Sequence, residues 1–374
     1  MKLLAGAGAV RFSTVLLLGR LAIAAPFDDP PKPDEPAPAF KFTAIADAMG
    51  TWNANSPASG LNQLHNFDIN ADAWSLASAA LSIEHEGARF NFHVDAGFGD
   101  LNRTMVASDP WHGPNQYVQQ AFVGFKPFAD KPLKIEAGKF FTPAGGEVPE
   151  TYNNFNTSRS LLFVLGIPYY NFGVRAIGPV TKEWSVAGYV VNGWSDVVDN
   201  NRGKTIGATA TWTGKSQTFN FVYFGGPEKP DTTLSNRNLV DVVYGFTAKS
   251  WWNNYTEVLW AGEGRSSAGL VVPGQDVWYG VAHSTRFNVS KNWSLSPRLS
   301  WFMDRNGAAS GLPQRLMEMT GTVEYRINKW MMARAEVRRD LSNRQFFDSG
   351  NHPASSKTQD TALVGMTFLW KAAR

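Results

Sequence analysis

The chain has 374 residues, with 35 Lys and Arg against 32 Asp and Glu, 13% aromatic residues and no cysteine. Lack of cysteine excludes disulfides, zinc–thiolate centres and cysteine nucleophiles together, and a chain this aromatic is not a disordered one. No segment past the leader reaches 18 consecutive apolar residues, which excludes a transmembrane helix but not a membrane-crossing sheet.

The first 24 residues read as an export signal. Lys2 and Arg11 supply the positive charge, Phe12 to Gly19 the apolar stretch, and Ala22-Ile23-Ala24 the small-x-small cleavage site. They hold Lys2, Arg11 and Arg20 and no acid, so removing them leaves 32 bases against 32 acids. The formal charge of +3 therefore belongs to the leader and offers no surface to nucleic acid. Residues 25–39 are Pro-rich and acidic (Pro26 to Pro38 reads PFDDPPKPDEPAP) and predict a solvated periplasmic linker.

From Phe40 to the end the pattern is short alternating segments. In "ARFNFHVDAGFG", residues 88–99, Phe90, Phe92, Val94, Ala96 and Phe98 form one set, while Arg89, Asn91, His93, Asp95 and Gly97 form the other. That is the period of two of a β-strand. Sixteen such segments are predicted: 40–52, 72–85, 88–99, 115–126, 132–140, 169–178, 183–193, 203–213, 216–225, 238–249, 252–262, 276–287, 291–303, 317–327, 331–340 and 359–370. Two fit poorly. Residues 72–85 (DAWSLASAALSIEH) are rich in helix formers, and 183–193 do not separate into two clean faces.

The connections alternate. Short ones fall at Glu86-Gly87, Pro127–Lys131, Pro179–Lys182, Gly214-Lys215, Ser250-Trp251, Asn288–Ser290 and Asn328–Trp330. Long ones span 53–71, 100–114, 141–168, 194–202, 226–237, 263–275, 304–316 and 341–358. A two-sheet sandwich has no reason to sort loop lengths by end, whereas an outer-membrane barrel has short periplasmic turns, long outer loops and an even strand number. Four short turns also set Trp beside Lys: Lys182-Glu183-Trp184, Lys249 to Trp252, Lys291-Asn292-Trp293 and Lys329-Trp330. Indole settles at a membrane–water boundary.

Register sharpens the picture. A two-residue turn at Glu86-Gly87 sets Glu84 opposite Arg89. A three-residue loop at Asn328–Trp330 sets Glu324 opposite Arg334 and keeps Met319, Val323 and Tyr325 on one face with Met331, Ala335 and Val337. Collected over all strands, one face holds Phe, Val, Leu, Ile, Trp and Ala. The other holds Arg89, Asp95, Lys134, Glu136, Arg175, Asp241, Lys249, Arg286, Arg298, Glu324, Arg326, Arg334, Glu336 and Arg338. A Lys or Arg facing lipid at the membrane midplane costs about 2–4 kcal/mol. The charged face therefore belongs inside, and a ring of sixteen strands is too wide for its own side chains to fill, which predicts a water-filled channel.

The segments YVQQAFVGFKP, LKIEAGKFFTPAGGE, YNNFNTSRSLLF and PYYNFGVRA, between Tyr117 and Ala176, resemble the OmpL-like putative beta-barrel porin family of bacterial outer membranes. The resemblance rests on Gln120-Ala121-Phe122, on Gly138, Lys139, Phe140, Pro143, Gly145 and Glu147, and on the Asn/Ser/Arg run at Asn153–Ser160. It implies an all-β, outer-membrane channel of a Gram-negative envelope.

The longest connection within the barrel region, 141–168, either folds into the channel or lies over its mouth. If it enters, Glu147, Glu150 and Arg159 face Arg298, Arg326, Arg334 and Arg338 across a constriction. Mixed signs predict weak ion selectivity, tilted toward anions by the arginines. Nothing points to a cofactor or a metal. The histidines 65, 85, 93, 112, 283 and 352 form no i, i+4 pair and no HExxH; His93 reads as a hydrated wall residue, and Asp28, Asp29 and Asp34 as solvation. A nucleophile elbow is lacking, since Gly193-Trp194-Ser195 has no flanking glycine. The reading is a porin passing small hydrophilic solutes by diffusion, surrounded by outer-membrane lipid and, by analogy with other sixteen-stranded porins, a homotrimer. The alternatives are a barrel esterase or phospholipase, against which His283 and Ser284 fall on opposite faces, and an exported soluble β-rich binding protein.

Overall fold

In the structure, a computed structural model, the described residues are 40–107, 113–128, 131–230, 232–248, 251–267 and 270–373. The leader and linker, Lys249, Ser250 and His112 lie outside them.

The chain alternates because each strand meets two different media. It runs β1 (Phe40–Asn53), β2 (Ala73–Glu86), β3 (Phe90–Phe98), α1 (Asp100–Met105), β4 (Val118–Phe125), β5 (Lys134–Phe141), α2 (Leu161–Leu165), β6 (Tyr170–Pro179), β7 (Trp184–Val191), β8 (Thr205–Thr213), β9 (Gln217–Pro227), β10 (Asn236–Ala248), β11 (Trp252–Ser267), β12 (Leu270–Asn288), β13 (Trp293–Asp304), β14 (Gln314–Arg326), β15 (Met331–Ser342), β16 (Phe347–Ser349), β17 (His352–Ser356) and β18 (Thr358–Ala373). Sixteen of these close into an antiparallel barrel, each paired with its neighbour in sequence order and β18 closing on β1. The pair β16–β17 is a separate hairpin in the last outer loop. Closure leaves no unpaired strand edge to lipid.

The inversion of faces is as the alternation predicts. On β13, Trp293, Leu295, Pro297 and Leu299 are exposed while Ser294, Ser296, Arg298 and Ser300 are buried. Phe90, at 70% exposure, and Val337, at 64%, belong to the same outward surface. Outward aromatics form two belts. Trp184, Trp251, Trp293, Trp330 and Trp370 ring the short-turn end. At the other end Trp52 and Trp74 meet edge to face at 6.0 Å, Trp260 pairs with Tyr279 across β11 and β12, and Tyr279 lies 5.7 Å from Trp301. Trp252 and Trp260 are eight residues apart on β11. At ~3.4 Å per residue and a tilt near 40° that is roughly 20 Å of membrane thickness, close to the apolar band of a bacterial barrel.

The Glu324–Arg334 register is the one found, with Met319 through Tyr325 matched as predicted. Three expectations need correcting, and one is met despite its composition. The β2–β3 turn is displaced by two residues: Gly87 N–H donates to Phe90 O, Glu84 pairs with His93, and the two turn residues are Ala88 and Arg89. The displacement is even, so the faces survive, but Arg89 is an exposed turn residue and not part of the wall. The stretch 72–85 is strand as predicted, its helix formers overruled by pairing on both sides. The stretch 183–193 alternates cleanly after all; its inward set, Ala187, Tyr189 and Val191, is apolar because it meets an apolar interior. Finally, 263–275 is not a long loop. β11 and β12 continue past the barrel as one long hairpin, with a register shift at Gly264/Arg265.

Candidate constriction inside the barrel

The connection 142–169 lies inside the ring of strands. Pro143 follows the β5 ladder, and Gly145, with φ of 91°, turns the chain across the lumen. Gly145 N–H donates to Asp241 Oδ2 on β10 (2.7 Å), and Gly146 N–H donates to Glu257 Oε2 on β11 (2.9 Å). Asp241 pairs with Leu259 and Val243 with Glu257, so the two carboxylates are diagonal neighbours on the inner face. Gly146 is required there, since a Cβ would stand 2.5 Å from the Tyr255 ring.

The loop then meets the opposite wall. Arg298 on β13 bridges Glu147 of the loop (2.7 Å) and Glu318 of β14 (3.1 Å), and donates to Ser158 O. Glu336 accepts the backbone N–H groups of Thr157 (2.6 Å) and Ser158 (3.0 Å). Arg334 binds Glu324 (2.8 Å) and donates to Thr151 O and Asn154 O; Arg338 binds Asp340 (2.8 Å) and donates to Arg159 O. Arg286 completes the row on Glu324. Arg298, Arg334 and Arg338 thus each meet a carboxylate and spend remaining donors on loop carbonyls, whereas Arg286 shares Glu324 with Arg334 and donates to the Ser294 and Asn288 side chains. This fork geometry suits arginine and not lysine.

Arg159 does not face an opening. Its guanidinium donates to the carbonyls of Val148 (2.9 Å) and Pro149 (2.8 Å) and lies over the Phe67 and Phe163 rings, tying the two arms of the loop together. Beyond it, Ser160 caps the short α2, whose Leu161, Leu162 and Phe163 enter an apolar cluster with Phe140, Tyr189, Phe224 and Phe302 from the wall.

The remaining candidates sit elsewhere on the inner face. Asp95 pairs with His93 (2.7 Å) and accepts from Gln120, so His93 is a paired residue and not a hydrated one. Arg175 pairs with Glu136 (2.7 Å) and stacks over Phe140. Arg326 is half-buried at the end of β14, and Glu150 is buried in the loop. The expected wet wall is therefore largely a packed one. Arg159 and Arg298 are each 1% exposed, and Asp241 is fully buried. Side chains alone could not fill so wide a ring; folded loop backbone takes up much of it. Alternation could have found Glu257 and Glu318, which share the inward period of Asp241 and Arg298. It could not have found His65 and Asp68, which reach the wall from the loop after β1.

That loop adds a second brace. His65 contacts Asp68 (2.5 Å) and Asp340 (3.5 Å) beside a cavity of about 10 Å³. Burial would keep the imidazole neutral, but the two carboxylates outweigh it and raise His65, while Asp68 is held down at about 2. On the outer rim, Glu228 accepts Trp194 N–H (2.8 Å) and the Thr205 hydroxyl. Burial pushes its carboxyl up to about 7 against those bonds. An acid whose folded pKa is raised loses stability as pH climbs from its unfolded value toward the folded one. Glu228→Gln is therefore expected to leave thermal unfolding unchanged at pH 4 and to stabilise the barrel by roughly 1–3 kcal/mol at pH 8. Melts at the two pH values check this; an equal gain at both would contradict it.

His283 and Ser284 point to opposite sides of β12. His283 faces outward and shares a hydrogen bond with the Thr256 hydroxyl (2.9 Å), while Ser284 is inside and donates to Asn156 Oδ1 (3.0 Å).

Comparisons with known proteins agree with this architecture. The profile of the family described as putative beta-barrel porin-2, OmpL-like, matches residues 39–369. Among curated proteins, none matches. Similar solved structures include the outer-membrane channel DcaP of Acinetobacter baumannii (TM-score 0.60, 8% identity, covering 88% of this chain and 97% of that one). An anion-selective porin from Comamonas acidovorans is also similar (TM-score 0.58, 7% identity, 88% and 99%). So is OmpT of Vibrio cholerae in a trimer form (TM-score 0.57, 12% identity, 90% and 100%). At these identities the likeness is one of fold.

Proposed function

We propose, from the premise that this chain belongs to the putative beta-barrel porin-2, OmpL-like family and is an outer-membrane porin, that it passes small hydrophilic solutes and ions by passive diffusion around an inserted loop that sets the size limit. Family and fold point to a channel rather than an enzyme. The observation that carries the proposal is the seating of residues 142–169 across the lumen, gripped by Asp241 and Glu257 on one wall and by Arg298, Arg334 and Arg338 on the other. Because every arginine in that row meets a carboxylate, Arg286 and Arg334 sharing Glu324 and Arg298 taking both Glu147 and Glu318, the fixed charge along the path is largely compensated, and weak selectivity follows. The arginines do not outnumber the acids at the loop–wall contact: Glu147, Asp241, Glu257, Glu318, Glu324, Glu336 and Asp340 meet Arg159, Arg286, Arg298, Arg334 and Arg338, so the anion tilt expected from the arginines alone is removed. A homotrimer, with a leader 1–24 removed on export and residues 25–39 as a periplasmic linker, completes the reading; β1 begins on the short-turn side, where such a linker would join. Planar-bilayer recording of the purified chain is the test. Small, stepwise, gradient-driven currents are expected, with near-equal permeability to K⁺ and Cl⁻. A sealed barrel that hydrolyses lipid would overturn the proposal.

A further inference from the structure

We propose that the outer-rim cleft between β12, β13 and β14 binds a phosphate group, and that this phosphate is carried by a lipid headgroup of the surrounding outer leaflet. The cleft holds about 500 Å³ and is lined by Tyr279, Met303, Arg305, Gln314, Arg315 and Asn343, with Asp304 beneath. That volume suits a headgroup or a small ligand.

Its charge is one-sided. Asp304, the lining acid, is fully buried and spends its carboxylate on its own loop, accepting the N–H groups of Gly307, Ala308, Ala309 and Ser310 and the Ser310 hydroxyl. Among the described residues no acid pairs with the guanidinium of Arg305 or of Arg315. Asn343 uses its side-chain carbonyl to accept Arg315 N–H (2.8 Å), which fixes the strand end and turns its amide donors free of that bond. Two guanidinium groups without an acidic partner line one open cleft, and each can donate two parallel hydrogen bonds to a phosphate.

Its position is equally particular. Tyr279 pairs with Met303 and Met303 with Arg315, so the lining runs along the outward row of the barrel, next to the Tyr279–Trp301 contact (5.7 Å) in the outer aromatic belt. Below that row the outward residues of β13 and β14 are uncharged: Trp301, Leu299, Pro297, Met317, Met319, Val323. Arginine facing lipid costs about 2–4 kcal/mol at the midplane and almost nothing at the interface. Arg315 therefore marks the headgroup level. The contrast with Arg339 is informative. It lies two rungs deeper on the same outward face and is neutralised bidentately by Asp360 (2.6 and 2.8 Å). The deeper arginine has a protein partner; the two at the boundary are left for an external one. Tyr279 and Met303 give the cleft an apolar wall continuous with the lipid-facing surface, which a free anion would not need.

Native mass spectrometry of the detergent-purified full chain tests this with three probes: diphosphoryl lipid A, phosphatase-treated lipid A and inorganic phosphate. Diphosphoryl lipid A is expected to bind about tenfold more tightly than the phosphatase-treated lipid. The Arg305→Gln/Arg315→Gln double variant is expected to lose that difference. Arg344→Gln, an exposed arginine outside the cleft, should retain it. Both targets are surface residues, and heat-modifiable migration on gels confirms that the variants are folded. Equal binding of the two lipids, or an undiminished difference in the double variant, overturns the phosphate site. An adduct with inorganic phosphate and none with lipid A overturns the lipid as its source.

Discussion

Replacing Arg298 with alanine is expected to destabilise the barrel by about 3–5 kcal/mol, the usual cost of stranding buried charges by removing their partner. Arg298 is 1% exposed and serves two carboxylates at once, Glu147 of the loop and Glu318 of the wall, besides Ser158 O and Oγ. Without it both acids face each other with no cation between them. The cheapest relief is hydration, and water reaches them only if the loop leaves β13 and β14. Loss of stability and a larger conductance should therefore appear together. Arg298→Lys keeps the charge but cannot serve two carboxylates and two loop oxygens with one fork, so it should fall between. Removing Glu147 as well takes away one stranded charge, and Arg298→Ala/Glu147→Ala should recover part of the loss, with a coupling of roughly 1–3 kcal/mol in the cycle. Urea unfolding in lipid vesicles and bilayer recordings check both halves. An Arg298→Ala barrel within about 0.5 kcal/mol of the parent would mean that the bridge contributes nothing.

How much of this was legible beforehand depends on which period carried the information. Strand alternation is local and strong, because each residue meets either hydrocarbon or the interior. It located all sixteen barrel strands, the outward Phe90 and Leu299, and the Glu324–Arg334 pairing. Where the sequence misled, a longer-range force decided. Glu86-Gly87 resembles a turn more than Ala88-Arg89 does, yet pairing of β3 with β4, through Lys126 N–H to Arg89 O, sets the register. The 263–275 stretch is rich in Gly and Ser but pairs with itself beyond the membrane. The interior is the least legible part of the molecule. Alternation puts Arg298, Arg334 and Arg338 on the inner face, but a period of two says only which side a residue occupies, not what it meets there. Their partners are backbone carbonyls of a loop more than a hundred residues away, and a loop carries no periodicity to announce them. Even so, Pro143, Gly145 and Gly146 signal a tight entry, and a loop that enters sets Glu147 toward Arg298, the arginine it binds.

That tight entry gives the second large effect. Gly146→Val should unseat the loop from the β10–β11 wall while leaving the arginine row intact. The new Cβ would lie 2.5 Å from the Tyr255 ring, which is buried and packed on Phe155 at 6.0 Å, so neither side yields easily. Overpacking of this kind costs about 1–3 kcal/mol. If the loop retreats instead, Asp241 and Glu257 lose the two N–H donors that hold it, and two buried carboxylates open to water. Conductance should rise about twofold or more as the obstruction is pushed aside. Cation permeability should rise with it, because the newly hydrated charges are negative, whereas Arg298→Ala exposes Glu147 and Glu318 on the other side of the loop. Gly50→Val is the control. Its Cβ would also crowd an aromatic ring, that of Trp74 at 2.9 Å, but Trp74 is 76% exposed and belongs to the outer belt. It should disturb the lipid-facing surface and leave the current as it was. If the two variants conduct alike, the contact at Gly146 does not govern the path of ions, and the inserted loop is a brace for the barrel and not its filter.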